Sequence, residues 1–244
     1  TFMKSLSLNF RPFIILAALI FSISACETAE EPMPQGFSEE ITRLIPDSTI
    51  SAMRDLQMII NEGMEPPTLE GVYFASPLVI SKSNVPNEIH GEGSRFADYR
   101  YYMRNQNIDD LTMELDSEGL SINSGSVITR SIGKQAFISG NRNSFTAFII
   151  QDSEMYLESG DTARSRVLEV ISGTLSADGI KNFQNAVWML NDYGDEFNLF
   201  IPANTGRIFN DGDLMAQRIS CAYIEVVHKS SGSELPQMLE YSAN

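Results

Sequence analysis

The stretch VLEVISGTLSADGIKNFQNAVWML, Val167 to Leu190, decides the fold. Two apolar runs, Val167 to Leu175 and Ile180 to Leu190, flank Ala177-Asp178-Gly179. Asp-Gly between such runs is a hairpin signal, because both residues accept the positive φ that a tight turn needs. The second run also fits helical spacing at Ile180, Phe183, Val187 and Leu190. The strand reading prevails, because the turn calls for a returning strand and Val187 and Trp188 favour a pleated surface.

The same pattern extends in both directions. Gly140-Asn141-Arg142-Asn143 joins Ala136–Ser139 to Ser144–Gln151 as a second hairpin. Leu111, Met113 and Leu115 alternate with polar residues, and Ser117-Glu118-Gly119 reads as the turn into Leu120–Thr129. Leu69–Ile80, the tyrosine-rich Phe96–Arg104, Arg207–Asn210 and Ile219–Val227 complete the set. The expected fold is mainly β: a single antiparallel up-and-down barrel of about 8–10 strands, since closure removes exposed edges. It is expected to span residues 46–229, with a polar C-terminal tail at 230–244. One N-terminal α-helix is predicted over residues 48–62. Pro46-Asp47-Ser48 starts it, Ile50, Met53, Leu56 and Ile60 form its apolar stripe, and Gly63 ends it. The stripe is expected to pack on the domain as a lid or plug.

The N-terminus has a different character. After Met3, the expected start, come Lys4 and Arg11, then the apolar run Phe13–Phe21, then Ile23-Ser24-Ala25-Cys26. The run is shorter than the roughly 20 residues of a spanning helix and has the flanks of an export signal. Ile-Ser-Ala-Cys resembles the lipobox of bacterial lipoproteins. That resemblance implies cleavage between Ala25 and Cys26 and lipidation of Cys26, and so a membrane partner held through lipid. Residues 1–25 are then a signal peptide and residues 26–45 an acidic tether. Glu27 to Glu40 has five glutamates and no base, too little apolar surface to fold. Such an acidic stretch also resembles the surface-export signals of some Gram-negative lipoproteins. The expected location is the bacterial cell envelope, at the outer membrane.

The chain carries a formal charge of −15, and losing Lys4 and Arg11 with the signal deepens it by two. A body this acidic is repelled by nucleic acid and by anionic lipid headgroups, which excludes both as partners. Cys221 reads as a buried small residue in a strand, and with Cys26 lipidated no cysteine pair remains for a disulfide. Two histidines, His90 and His228, cannot supply a zinc site. No nucleophile elbow or phosphate loop occurs. Carboxylate pairs such as Asp109-Asp110 arise by chance among 32 acids, so neither a catalytic residue nor a cofactor is expected. Asp211 and Asp213, with a second acidic loop at Asp192, Asp195 and Glu196, read either as solvated turns or as pooled calcium ligands.

Gly71-Val72-Tyr73, after a short helix and Pro66-Pro67, resembles the opening of lipocalin-type barrels, which carry tryptophan where this chain has Tyr73. Residues 66–213 also look similar to uncharacterised lipoproteins of the Bacteroidota, through Ile171–Phe183 and Thr205–Asp211. The first resemblance implies a barrel with a ligand in its open end; the second implies no activity. The resulting expectation is a lipid-anchored, non-enzymatic binding protein for a small apolar or amphipathic ligand. Its candidate lining is aromatic: Tyr73, Phe96, Phe148 and Trp188 foremost, with Phe74, Tyr99, Tyr101 and Phe145. The alternative is a closed barrel whose interior these side chains fill, acting as a structural subunit of an envelope assembly.

Overall fold

The computed structural model describes residues 36–220. The signal segment, Ala25, Cys26, the tether up to Gln35, Cys221, His228 and the C-terminal tail lie outside the described residues. The described chain is mainly β, with two short helices, α1 (Glu39–Leu44) and α2 (Asp47–Asp55). The strands are β1 (Met64–Glu65), β2 (Gly71–Ala75), β3 (Leu78–Ser83), β4 (Asp98–Asn107), β5 (Thr112–Leu120), β6 (Val127–Asn141), β7 (Ser144–Tyr156), β8 (Thr162–Ser176), β9 (Gly179–Asn191), β10 (Gly206–Asp211) and β11 (Met215–Ile219).

The 167–190 stretch forms β8 and β9, with Ser176 opposite Gly179 across a two-residue turn. The strand reading of Ile180–Leu190 therefore stands. From β4 to β10 each strand pairs antiparallel with the next. β2 pairs with β4, and β3 pairs with β10. β11 pairs with β2 on one side and with β9 on the other, so the path of pairings returns on itself as a ring.

Two bends lie side by side in this ring. The expected single strand Leu69–Ile80 is broken at Ser76-Pro77, where proline has no N–H to give to a ladder. Beside it, Gly212, Asp213 and Leu214 separate β10 from β11. The Gly212 N–H donates to the Pro77 carbonyl at 2.7 Å, and the Ser76 N–H donates to the Asp211 carboxylate at 2.8 Å.

Three other expectations need correction. The turn expected at Ser117-Glu118-Gly119 lies inside β5, and the chain reverses at residues 121–126 instead. Gly119 is there for close approach: a Cβ on it would sit 3.0 Å from the Tyr99 ring. The single helix predicted for 48–62 ends at Asp55. Beyond it, extended backbone finds better partners on the sheet, where the Ile59 N–H donates to Gln184 at 2.7 Å and the Asn61 N–H to Thr146 at 2.8 Å. Gly63 caps no helix; its positive φ and missing Cβ let the chain pass Asn141, where β1 pairs with β6. The segment read as the end of the tether is folded from Phe37 onward. Ser38 caps α1, and Ile41 and Ile45 are buried. Among the described residues no helix is long and apolar enough to cross a membrane.

The sheet has two apolar faces. Inside the ring, Tyr73, Tyr101, Met103, Met113, Leu115, Phe145, Ala147, Ile180 and Phe183 form the main core. On the outer face of β7–β10, Phe148, Leu168, Val170, Ala186, Trp188 and Ile208 pack under Ile41, Ile45, Ile50 and Met53 of the helices.

Candidate functional site

One end of the ring is packed solid and the other holds a cavity of about 250 Å³. Its wall is built by alternation, which sends every second side chain of a strand inward. β5 to β8 contribute mostly hydroxyls: Ser117, Thr129, Ser131, Ser153 and Ser165. β3, β9, β10 and the loop at 199–201 contribute mostly apolar groups, among them Leu78, Val187, Met189, Phe200 and Phe209.

The mouth is pinned by charge and aromatic contact. Phe96 lies edge-on to Phe209 at 5.2 Å, with the Arg207 guanidinium 5.3 Å from its ring centre. Glu88 grips that guanidinium through two bonds of 2.8 and 3.0 Å. Arg207 is the main reason the Glu88 carboxyl falls to about 2. Asp195 holds the covering loop by accepting from the Leu199 N–H at 2.8 Å and the Phe200 N–H at 2.9 Å.

The floor is polar and buried. Glu169 of β8 accepts from Asn185 Nδ2 at 2.8 Å, from Ser117 Oγ at 3.1 Å and from Gln151 Nε2. Burial pushes its carboxyl above the usual range, and these three bonds partly oppose that. Burial, and then the charge of Glu169, push the hydroxyls of Tyr99 and Tyr101 upward too. Two buried polar atoms beside this carboxylate, Tyr101 Oη and Gln151 Oε1, have no hydrogen-bond partner among the described residues.

The four foremost sequence candidates separate. Phe96 lines the cavity. Tyr73 sits in the packed end, its hydroxyl donating to the Leu69 carbonyl at 2.9 Å and accepting from Arg218 at 2.6 Å. Phe148 and Trp188 point to the outer face, under the helices. Of the others, Tyr99 lines the cavity, while Tyr101 and Phe145 belong to the packed core. Phe74 neighbours Tyr73 along β2 and so faces the opposite way. Glu169, Asn185 and the hydroxyl set escaped the sequence reading, although Glu169 is the one acid inside the apolar run Val167–Ile171.

The acidic loops serve turn geometry. Asp192 accepts from the Gly194 N–H, Asp211 from Asp213 N–H, and Asp213 from Met215 N–H. No group of three or more His, Cys, Asp or Glu side chains is arranged to hold a metal ion among the described residues.

Asp211 makes stability depend on pH. Burial first, then its neighbour Asp213, raises its carboxyl from 3.8 to about 7. A raised acid binds its proton more tightly when folded, so its contribution is full below about pH 4 and is lost as pH rises through 7. Glu169 has the same sign. Glu88, lowered to about 2, has the opposite sign and contributes above about pH 4.5. Stability is therefore expected to peak at mildly acidic pH and to fall by roughly 2–4 kcal/mol between pH 5 and pH 8, since each tenfold change in proton affinity on folding is worth about 1.4 kcal/mol. Urea unfolding across that range checks this, and Asp211→Asn should flatten the decline. A curve that is level or rising toward pH 8 refutes it.

Comparison of the chain with family models, with curated proteins and with solved structures gave no match.

Proposed function

We propose that this chain is an envelope lipoprotein held to a membrane through lipid on Cys26, that its ring of strands is a calycin-like barrel, and that the open end binds a small amphipathic ligand. One observation carries the binding reading. The ring interior is filled at one end by large side chains, while the other end keeps about 250 Å³ between an apolar wall and a hydroxyl wall. A barrel that only needed filling would have larger side chains than serine and threonine at five inward positions. Apolar cavities of roughly 150 Å³ already take benzene. A ligand burying about 200 Å² of apolar surface gains roughly 5 kcal/mol before the costs of association.

The test uses 1-octanol as probe on the full chain, followed by calorimetry. Saturable binding with one site is expected. Ser131→Trp fills the cavity from β6 and should weaken binding at least tenfold while leaving thermal unfolding cooperative. Absence of saturation, or binding indifferent to that substitution, sinks the reading.

A second reading, an interaction subunit of an envelope assembly, draws on the covering loop. Tyr193, Phe197 and Leu199 expose large apolar side chains there. Under that reading the cavity has no occupant and octanol does not saturate.

A further inference from the structure

The floor of the cavity says more about the ligand than its walls do. This inference rests on the binding reading above. Glu169 is buried, and all three of its hydrogen-bond donors, Asn185, Ser117 and Gln151, are neutral. Among the described residues it has no ion-pair partner. Arg207 lines the same cavity, but its guanidinium is turned to Glu88 in a two-point bond at the mouth. A buried carboxylate without a counter-charge is costly, and proteins ordinarily pair or neutralise it.

The second observation is independent. Gln151 Oε1, on the side chain that donates to Glu169, is a buried acceptor with no donor among the described residues. The floor therefore holds a carboxylate and an unpaired amide oxygen, beside the inward hydroxyls of Ser131, Ser153 and Ser165, which can either donate or accept. A ligand carboxylate or phosphate would meet the negative charge of Glu169. An ammonium group brings what is missing: one positive charge and several N–H donors on a compact head.

We propose that the cavity is a site for an organic amine, with the protonated amino group at Glu169 and the apolar body along Phe96, Val187, Met189 and Phe209. Tyr99 lines the same region, close enough to Glu169 for its hydroxyl to feel that charge, and an aromatic face there suits a cation.

Three probes of matched chain separate the possibilities: octylamine, 1-octanol and octanoate, titrated into the full chain at about 0.15 M salt, where surface attraction to the acidic body is screened. Octylamine is expected to bind about tenfold or more tighter than octanol, since charge-assisted hydrogen bonds are roughly twice as strong as neutral ones. Octanoate should bind weakest. Glu169→Gln keeps the shape and removes the charge, so the advantage of octylamine should vanish while octanol binds as before. Retained octanol binding reports that the cavity is intact. If octanol saturates but octylamine is no tighter, or keeps its advantage in Glu169→Gln, the amine site is overturned and the binding reading survives. If none of the three saturates, both fall. Should the variant fail to fold, the order of affinities in the unaltered chain decides alone.

Discussion

Glu118→Ala is expected to cost about 3–5 kcal/mol of stability, the range for removing one partner of a buried ion pair. Glu118 lies on the outer face of β5 and is almost fully buried. It accepts from Arg130 at 2.9 Å and from the Tyr102 hydroxyl at 2.8 Å, and the Arg100 guanidinium stands 3.6 Å away. Next to it on the same face, Arg104 pairs with both Asp116 and Glu114. Alanine at 118 strips one carboxylate from two guanidinium groups and a phenol. The exposed pair Arg164–Glu154 provides the contrast, and Glu154→Ala should change stability by less than about 1 kcal/mol. Guanidinium chloride unfolding at pH 7 measures both. A Glu118→Ala loss no larger than that of Glu154→Ala would mean that solvent, and not the ion network, carries these charges.

The second large effect concerns location. If Cys26 is the lipid attachment point, Cys26→Ser should move nearly all of the protein out of the membrane fraction. Each buried CH₂ contributes about 0.8 kcal/mol, so the acyl chains supply the whole of the attachment. Among the described residues no helix is long and apolar enough to span a membrane, and the acidic surface opposes anionic headgroups. The readout is fractionation after expression in a Gram-negative host, with alkaline washing to strip protein partners. Retention after that wash would remove the lipoprotein reading and leave the cavity argument untouched.

How far the sequence could be read depends on what covered each strand. β8 and β9 were legible because Ala177-Asp178-Gly179 marks a turn and both runs are long. The 140–143 hairpin was legible for the same reason. Residues 56–63 were not, because their helical spacing loses to hydrogen bonds offered by Gln184, Thr146 and Asn141, all distant in sequence. Ser117-Glu118-Gly119 looked like a turn only while Glu118 lacked its arginines and Gly119 its tyrosine. The aromatic choices divided for a related reason. Phe145 and Phe148 are three apart, so in a strand they must face opposite ways, as must Val187 and Trp188. Each face of β7–β9 meets an apolar layer, the core on one side and the helices on the other, so hydrophobicity could not say which was inside. The cavity floor was hidden because Glu169 and Asn185 meet only through the register of β8 against β9.

The closure of the ring also sets an order in time. A chain emerging from a ribosome or a translocation channel presents β2 early and β11 late, yet β11 is the strand that joins β2 to β9. Until residues 215–219 arrive, β2 lacks its outer neighbour and β9 near Ile180, paired with β8 on one edge, keeps its other edge open. Those are two sticky edges on a nearly complete sheet. Contacts that span so much of the chain form slowly. The ring thus stays open for most of synthesis, and the chain needs guarding against its siblings for the same interval. Loss of the few residues of β11 would make that exposure permanent.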